Sequence, residues 1–193
     1  MKDITPALLS RGFPHFGSNR FLISYPTLVQ AFARHGTVDA EFLLFASHAV
    51  YGWMPNALNW TSTQWEKEAL LVESIRAGKP LTATDMKKIA ALINRSVTGA
   101  SKLLHFIAPE RFPILDAHIY TYLNALLYRE QPMDCVFYIK YSAAVARATT
   151  MPGFALVQEK VKKHLRYEVS SIRAAELPLY YLSLANKKPR RYE

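Results

Sequence analysis

Arg95-Ser-Val-Thr-Gly-Ala-Ser-Lys-Leu-Leu-His-Phe-Ile-Ala-Pro-Glu-Arg-Phe-Pro-Ile-Leu-Asp-Ala-His-Ile-Tyr120 is the stretch on which the fold turns. A short break at Arg95 to Gly99 is followed by apolar residues at helical spacing, among them Leu103, Phe106 and Ile107, which predicts a helix from about Ala100 to Ile107. Pro109 and Pro113 then bracket a tight loop, and Asp116 stands where the next helix should start, a helix expected to reach about Arg129.

The same period extends in both directions. Upstream, Met86, Ile89, Ala90 and Ile93 form one apolar face of a helix from Asp85 to Asn94, preceded by helices over Leu22–His35, from Asp39 to about Tyr51, and from Thr61 or Ser62 to about Arg76. Downstream, Pro132–Thr149, Phe154–Glu168 and Ser170–Asn186 supply three more. Strand alternation does not persist anywhere, and no Gly-rich phosphate loop or internal repeat is found. The expected fold class is all-α: a compact multi-helix domain of eight or nine helices with short connections. Residues 1–20 read as an irregular segment. Residues 21–186 read as a single all-α domain or as two helical subdomains around a cleft, and residues 187–193 as a basic tail.

Composition narrows the class. The chain has 193 residues, half of them hydrophobic (50%), with 12% aromatic and only 20% charged, which excludes a disordered, solvating chain. Its apolar runs fall short of the roughly 20 residues a membrane span needs, and no secretory leader opens it, so a cytoplasmic location is expected. The single cysteine, Cys135, leaves no disulfide framework and no iron–sulfur cluster, and the six histidines show no metal-ligand spacing. Neither a metal nor a cofactor is expected. The net charge of +9 is gathered at the C-terminal end, where residues 131–193 hold eleven Lys and Arg against five Asp and Glu. Lys160, Lys162, Lys163, Arg166 and Arg173 carry much of it, and such an excess fits a polyanionic partner, most simply DNA.

The opening stretch also carries chemistry-bearing residues. Val97-Thr98-Gly99-Ala100-Ser101-Lys102 joins a glycine turn to a lysine, and Leu115-Asp116-Ala117-His118-Ile119 sets an aspartate at a helix start after an apolar pair. Over about 40 residues, Met86 to Leu123, this resembles the helix-hairpin-helix DNA glycosylase/lyase superfamily, the group that includes endonuclease III. The resemblance implies a DNA base-excision enzyme that flips a modified base and cleaves its N-glycosidic bond, with Asp116 as catalytic carboxylate and Lys102 as nucleophile for a lyase step.

The physical requirements agree. Glycosidic cleavage builds positive charge on the sugar, which a nearby carboxylate stabilises. A lysine must be neutral to attack C1′, and a place in the first turn of a helix or partial burial favours that form. The turn and helix start at Ser96, Thr98, Gly99 and Ser101 offer amides to a DNA phosphate, with Lys160, Lys163 and Arg166 as a further DNA-binding face. Trp53, Asn56, Trp60, His118 and Tyr120 are candidates for holding the extruded base. Each residue also has an ordinary reading: Asp116 as an N-cap, Lys102 as a solvated helix lysine, His118 and the aromatics as packing. Two other classes therefore stand beside the enzyme: a non-catalytic helical nucleic-acid-binding protein, and an interaction domain of a toxin–antitoxin or phage-defence system.

Overall fold

The computed structural model describes residues 3–17, 20–54, 56–59, 64–128 and 131–186. Among them are ten α-helices and no strand: α1 (Pro6–Ser10), α2 (Arg20–Ala33), α3 (Ala40–Trp53), α4 (Trp65–Arg76), α5 (Ala83–Leu92), α6 (Val97–Ile107), α7 (Ala117–Leu123), α8 (Cys135–Thr149), α9 (Phe154–Leu165) and α10 (Ser171–Ala185). The fold is all-α, as the periodicity implies. No helix among the described residues is long and apolar enough to cross a membrane.

Local side-chain chemistry starts most of these helices. Asp39, Thr82, Ser96, Asp116, Asp134 and Ser170 each accept a backbone N–H of the first turn, and Thr82 with Asp85 completes a reciprocal capping box. The expected caps Thr61 and Ser62 lie outside the described residues, as does the basic tail 187–193.

At the centre lies α10, with eleven of its fifteen residues buried, packed on α7, α8 and α9. A helix buried on nearly every side is a core helix, and α1, α7, α8 and α9 pack on it. The N-terminal segment departs from its irregular reading. It forms α1 and a 3-10 turn at Phe13–His15, both packed against α10, with Ile4 and Leu9 fully buried. Gly12 permits this approach, because a Cβ there would lie 2.5 Å from the carbonyl oxygen of Pro178 in α10.

The break between α5 and α6 also differs from expectation. The chain reverses at Asn94 and Arg95, both left-handed (φ 57° and 52°), and α6 begins at Val97, three residues earlier than predicted. Gly99 is therefore inside a helix rather than in the turn. Its lack of a side chain admits Tyr51, whose hydroxyl would sit 2.9 Å from a Cβ. Lys102 accordingly occupies the second turn of α6, beyond the strongest influence of the helix dipole.

Candidate active site

A cavity of about 550 Å³ opens between the end of α3, the α5–α6 turn, the start of α7 and the buried face of α10. That volume lies within the roughly 300–1,000 Å³ typical of small-molecule sites. Lys102, Asp116 and His118 all line it, together with Trp53, Asn56, Ser96 and Thr98.

The loop from Ala108 to Asp116 is held almost atom by atom. Ser170 donates to the Pro109 carbonyl (2.7 Å), Tyr138 to that of Pro113 (3.1 Å) and Tyr141 to that of Ile114 (3.0 Å), while the Leu115 N–H donates to the Ser101 hydroxyl (3.0 Å). His105 Nδ1 meets the Phe112 carbonyl at 2.6 Å, and its Nε2 meets the Tyr25 hydroxyl at 2.7 Å. A carbonyl only accepts, so Nδ1 carries the proton and Nε2 accepts from Tyr25. Full burial keeps this imidazole neutral, its pKa pushed down to about 3, with the Arg173 charge acting in the same direction. A loop tied by so many side chains sets Asp116 in one place.

Asp116 serves two purposes with its two oxygens. Oδ1 caps α7 by accepting the His118 N–H at 2.8 Å, and Oδ2 lies 3.9 Å from Lys102 Nζ. One carboxylate thus caps α7 and also stands near the Lys102 ammonium. The Lys102 side chain is only 12% exposed, and its ammonium stands 5.8 Å from the centroid of the Trp53 ring. Burial lowers the proton affinity of Lys102, Asp116 and Glu176 oppose that shift, and Arg173 adds to it; the net direction is downward. Burial thus replaces the dipole expected from a first-turn position.

Other expected site residues are placed differently. Trp53 is half-buried, with its indole N–H donating to the Phe21 carbonyl (3.2 Å) and one edge against Phe106. Asn56 is exposed at the cavity rim. Trp60 lies outside the described residues. Tyr120 does not reach the cavity: its hydroxyl donates to the Gln131 carbonyl (2.6 Å) and its ring packs edge-on against Phe137, so it is a packing residue. Ser101 is fully buried and fastens the loop, which removes it from any phosphate contact, and Gly99 is likewise buried. Lys160, Lys163 and Arg166 are exposed on and just after α9 and do not line the cavity. Arg173, counted by sequence among the basic surface residues, is instead 4% exposed and paired with Glu176.

The arrangement also contains groups the sequence reading missed. Asn94 bridges the α5–α6 turn to the cavity rim, donating to the Ala57 carbonyl (2.8 Å) and accepting the Asn59 N–H (2.6 Å). Asn is the non-glycine residue most at ease in the left-handed region, which was its signal. The pair Arg173 and Glu176 forms part of the back wall. Its signal was a charged i,i+3 pair set among Ile172, Ala174, Ala175 and Leu177 in an otherwise apolar helix. Among the described residues no group of His, Cys, Asp and Glu is arranged to hold a metal ion.

Against protein families, curated proteins and solved structures, the chain has no match.

Proposed function

We propose that this protein is a DNA base-excision enzyme in which Lys102 attacks C1′ of an extruded nucleotide while Asp116 stabilises the positive charge that develops on the sugar. The observation that carries the reading is the partly desolvated Lys102 ammonium, 3.9 Å from Asp116 Oδ2 on the wall of a cavity large enough for a base. In the reaction, neutral Nζ forms a bond to C1′ as the C1′–N bond breaks. The base leaves with the bonding pair and takes up a proton. Loss of the proton from the new secondary ammonium and opening of the sugar ring then give the imine from which strand cleavage proceeds. Trp53 supplies an aromatic wall for the extruded base, and the exposed Lys160, Lys163 and Arg166 supply positive charge for the DNA backbone.

Borohydride trapping on oligonucleotides bearing an abasic site or a damaged base tests the reading. Wild type is expected to form a covalent adduct and Lys102→Gln to form none. Asp116→Asn should slow base release by roughly two orders of magnitude, the scale of losing one preorganised electrostatic partner. Because Lys102 must be deprotonated to react and its proton affinity is depressed, the rate should rise with pH with a midpoint below the ordinary lysine value of 10.5. An adduct that persists in Lys102→Gln overturns the assignment.

A further inference from the structure

Several polar groups on the cavity wall are already committed to holding the protein together. The Tyr51 hydroxyl donates to the Ile93 carbonyl (3.0 Å), the Trp53 indole to Phe21, the Asn94 amide to the 57–59 rim, and the Ser96 hydroxyl accepts the Gly99 N–H (2.9 Å). Asp116 and Lys102 are assigned to the chemistry. Asn56, Thr98 and His118 also line the cavity, but its buried charged pair stands on the back wall, on α10. There Glu176 is 1% exposed and Arg173 4%, yet both face the cavity. Arg173 Nη1 donates to one carboxylate oxygen, Oε2, which leaves Oε1 as an acceptor. Arg173 Nε is buried and has no hydrogen-bond partner among the described residues. A buried ion pair is weak support for stability, and an unsatisfied donor within it is a cost. The place of the pair on the wall is accounted for if a ligand meets the open carboxylate oxygen, whereas Arg173 Nε, which has no accessible surface, is not reached from the cavity.

We infer that Glu176, braced by Arg173, is the specificity-determining residue of this cavity: its carboxylate accepts the N–H of a ring nitrogen in the extruded base, and the guanidinium donates to the adjacent carbonyl. The inference rests on the base-excision reading and names its substrate class. In adenine N1, cytosine N3 and guanine N7 the ring nitrogen carries a lone pair, which a carboxylate repels. Deamination to hypoxanthine or uracil, or oxidation to 8-oxoguanine, places a proton on that same nitrogen beside a carbonyl. One donor–acceptor pair therefore accepts hypoxanthine or uracil and rejects adenine or cytosine, whereas guanine, 8-oxoguanine and thymine all offer a ring N–H beside a carbonyl and are not separated by it. Rejection is the stronger part, because a mismatched base leaves buried charged groups unpaired. A base methylated at that nitrogen has no N–H to offer and is excluded.

Single-turnover excision decides the matter, using duplexes that carry uracil, hypoxanthine or 8-oxoguanine, and matched duplexes with 3-methyluracil or 1-methylhypoxanthine. Wild type should excise at least one of the N–H-bearing bases, and methylation of its ring nitrogen should slow excision at least about tenfold, as loss of a hydrogen bond to a charged group implies. Glu176→Gln should lower the ratio of excision rate to abasic-site trapping rate by roughly tenfold to a hundredfold. If Glu176→Gln does not fold, the methylated duplexes decide with the wild-type protein alone. Equal rates on methylated and parent bases, excision of none of the three, or an unchanged ratio in a folded Glu176→Gln protein would overturn Glu176 as the reader while leaving Lys102 and Asp116 in place. Absence of both trapping and excision in wild type would instead remove the base-excision reading, and this inference with it.

Discussion

α9 and the start of α10 both contribute to the positive charge of the C-terminal end, and the structure treats their cations in opposite ways. Lys160, Lys163 and Arg166 are solvated, and Lys160 rests over the Phe13 ring at 5.0 Å, its stem covering apolar surface. Seven residues after Arg166, Arg173 is inside the protein, stacked 4.7 Å from the centroid of the Tyr25 ring and paired with Glu176. A count of positive charges treats the four alike. Burial separates charges that interact with anything approaching the surface from charges that must be answered by particular partners, and only the second kind shapes a cavity.

The contrast predicts unequal costs. Glu176→Ala leaves the Arg173 guanidinium buried and unpaired, so unfolding free energy should fall by about 3–5 kcal/mol. Lys163→Ala should change it by no more than about 0.5 kcal/mol. Denaturant titration of both variants under one buffer measures the difference. A Glu176→Ala protein as stable as wild type would mean that water reaches the pair freely and that the back wall is not a dry surface.

A second break of the same comparison uses pH. His105 belongs to the buried side, linked to Tyr25 and close to Arg173, and its pKa falls from 6.5 to about 3 on folding. Below pH 6.5 the unfolded chain takes up a proton that the folded one refuses, so this contribution is whole above pH 6.5 and is lost as pH falls toward 3. At pH 5 the loss is about 2 kcal/mol, at 1.36 kcal/mol per unit. Melting experiments on wild type and His105→Gln should show a shallower acid limb in the variant. Parallel limbs would mean that the imidazole is protonated in the fold.

How much of this was legible in the sequence depends on range. Helix caps such as Asp39 and Asp116 are decided within three residues, and they were read correctly because the residue types that accept first-turn N–H groups are few. The α5–α6 break was expected to run from Arg95 to Gly99, with the glycine in the turn. The chain uses Asn94 and Arg95 there and reserves Gly99 for the approach of Tyr51, a residue 48 positions earlier that no local pattern announces. Lys102 and Asp116 were singled out from one stretch and do converge, at 3.9 Å. The cavity around them was not legible, because its walls come from five segments whose meeting depends on the whole packing. Tyr120 and Ser101 show the same limit: their types suited a site, but their neighbours in space made them a packing residue and a loop fastener.

The last prediction concerns the solvated side alone and is the smallest in stability terms. If Lys160, Lys163 and Arg166 each meet a DNA phosphate, replacing all three by Ala should reduce the slope of log affinity against log salt by about 1 for each contact, near 3 in total. Unfolding free energy should scarcely move, because three exposed side chains lose no buried partner. Binding titrations at several salt concentrations with an undamaged duplex isolate this effect, since no base need leave the stack. A reduced slope with unchanged stability would assign the α9 face to contact with the DNA backbone. An unchanged slope would make the α9 face an ordinary solvated helix surface, and the search for phosphate contacts would move to the lysines and arginines of residues 187–193.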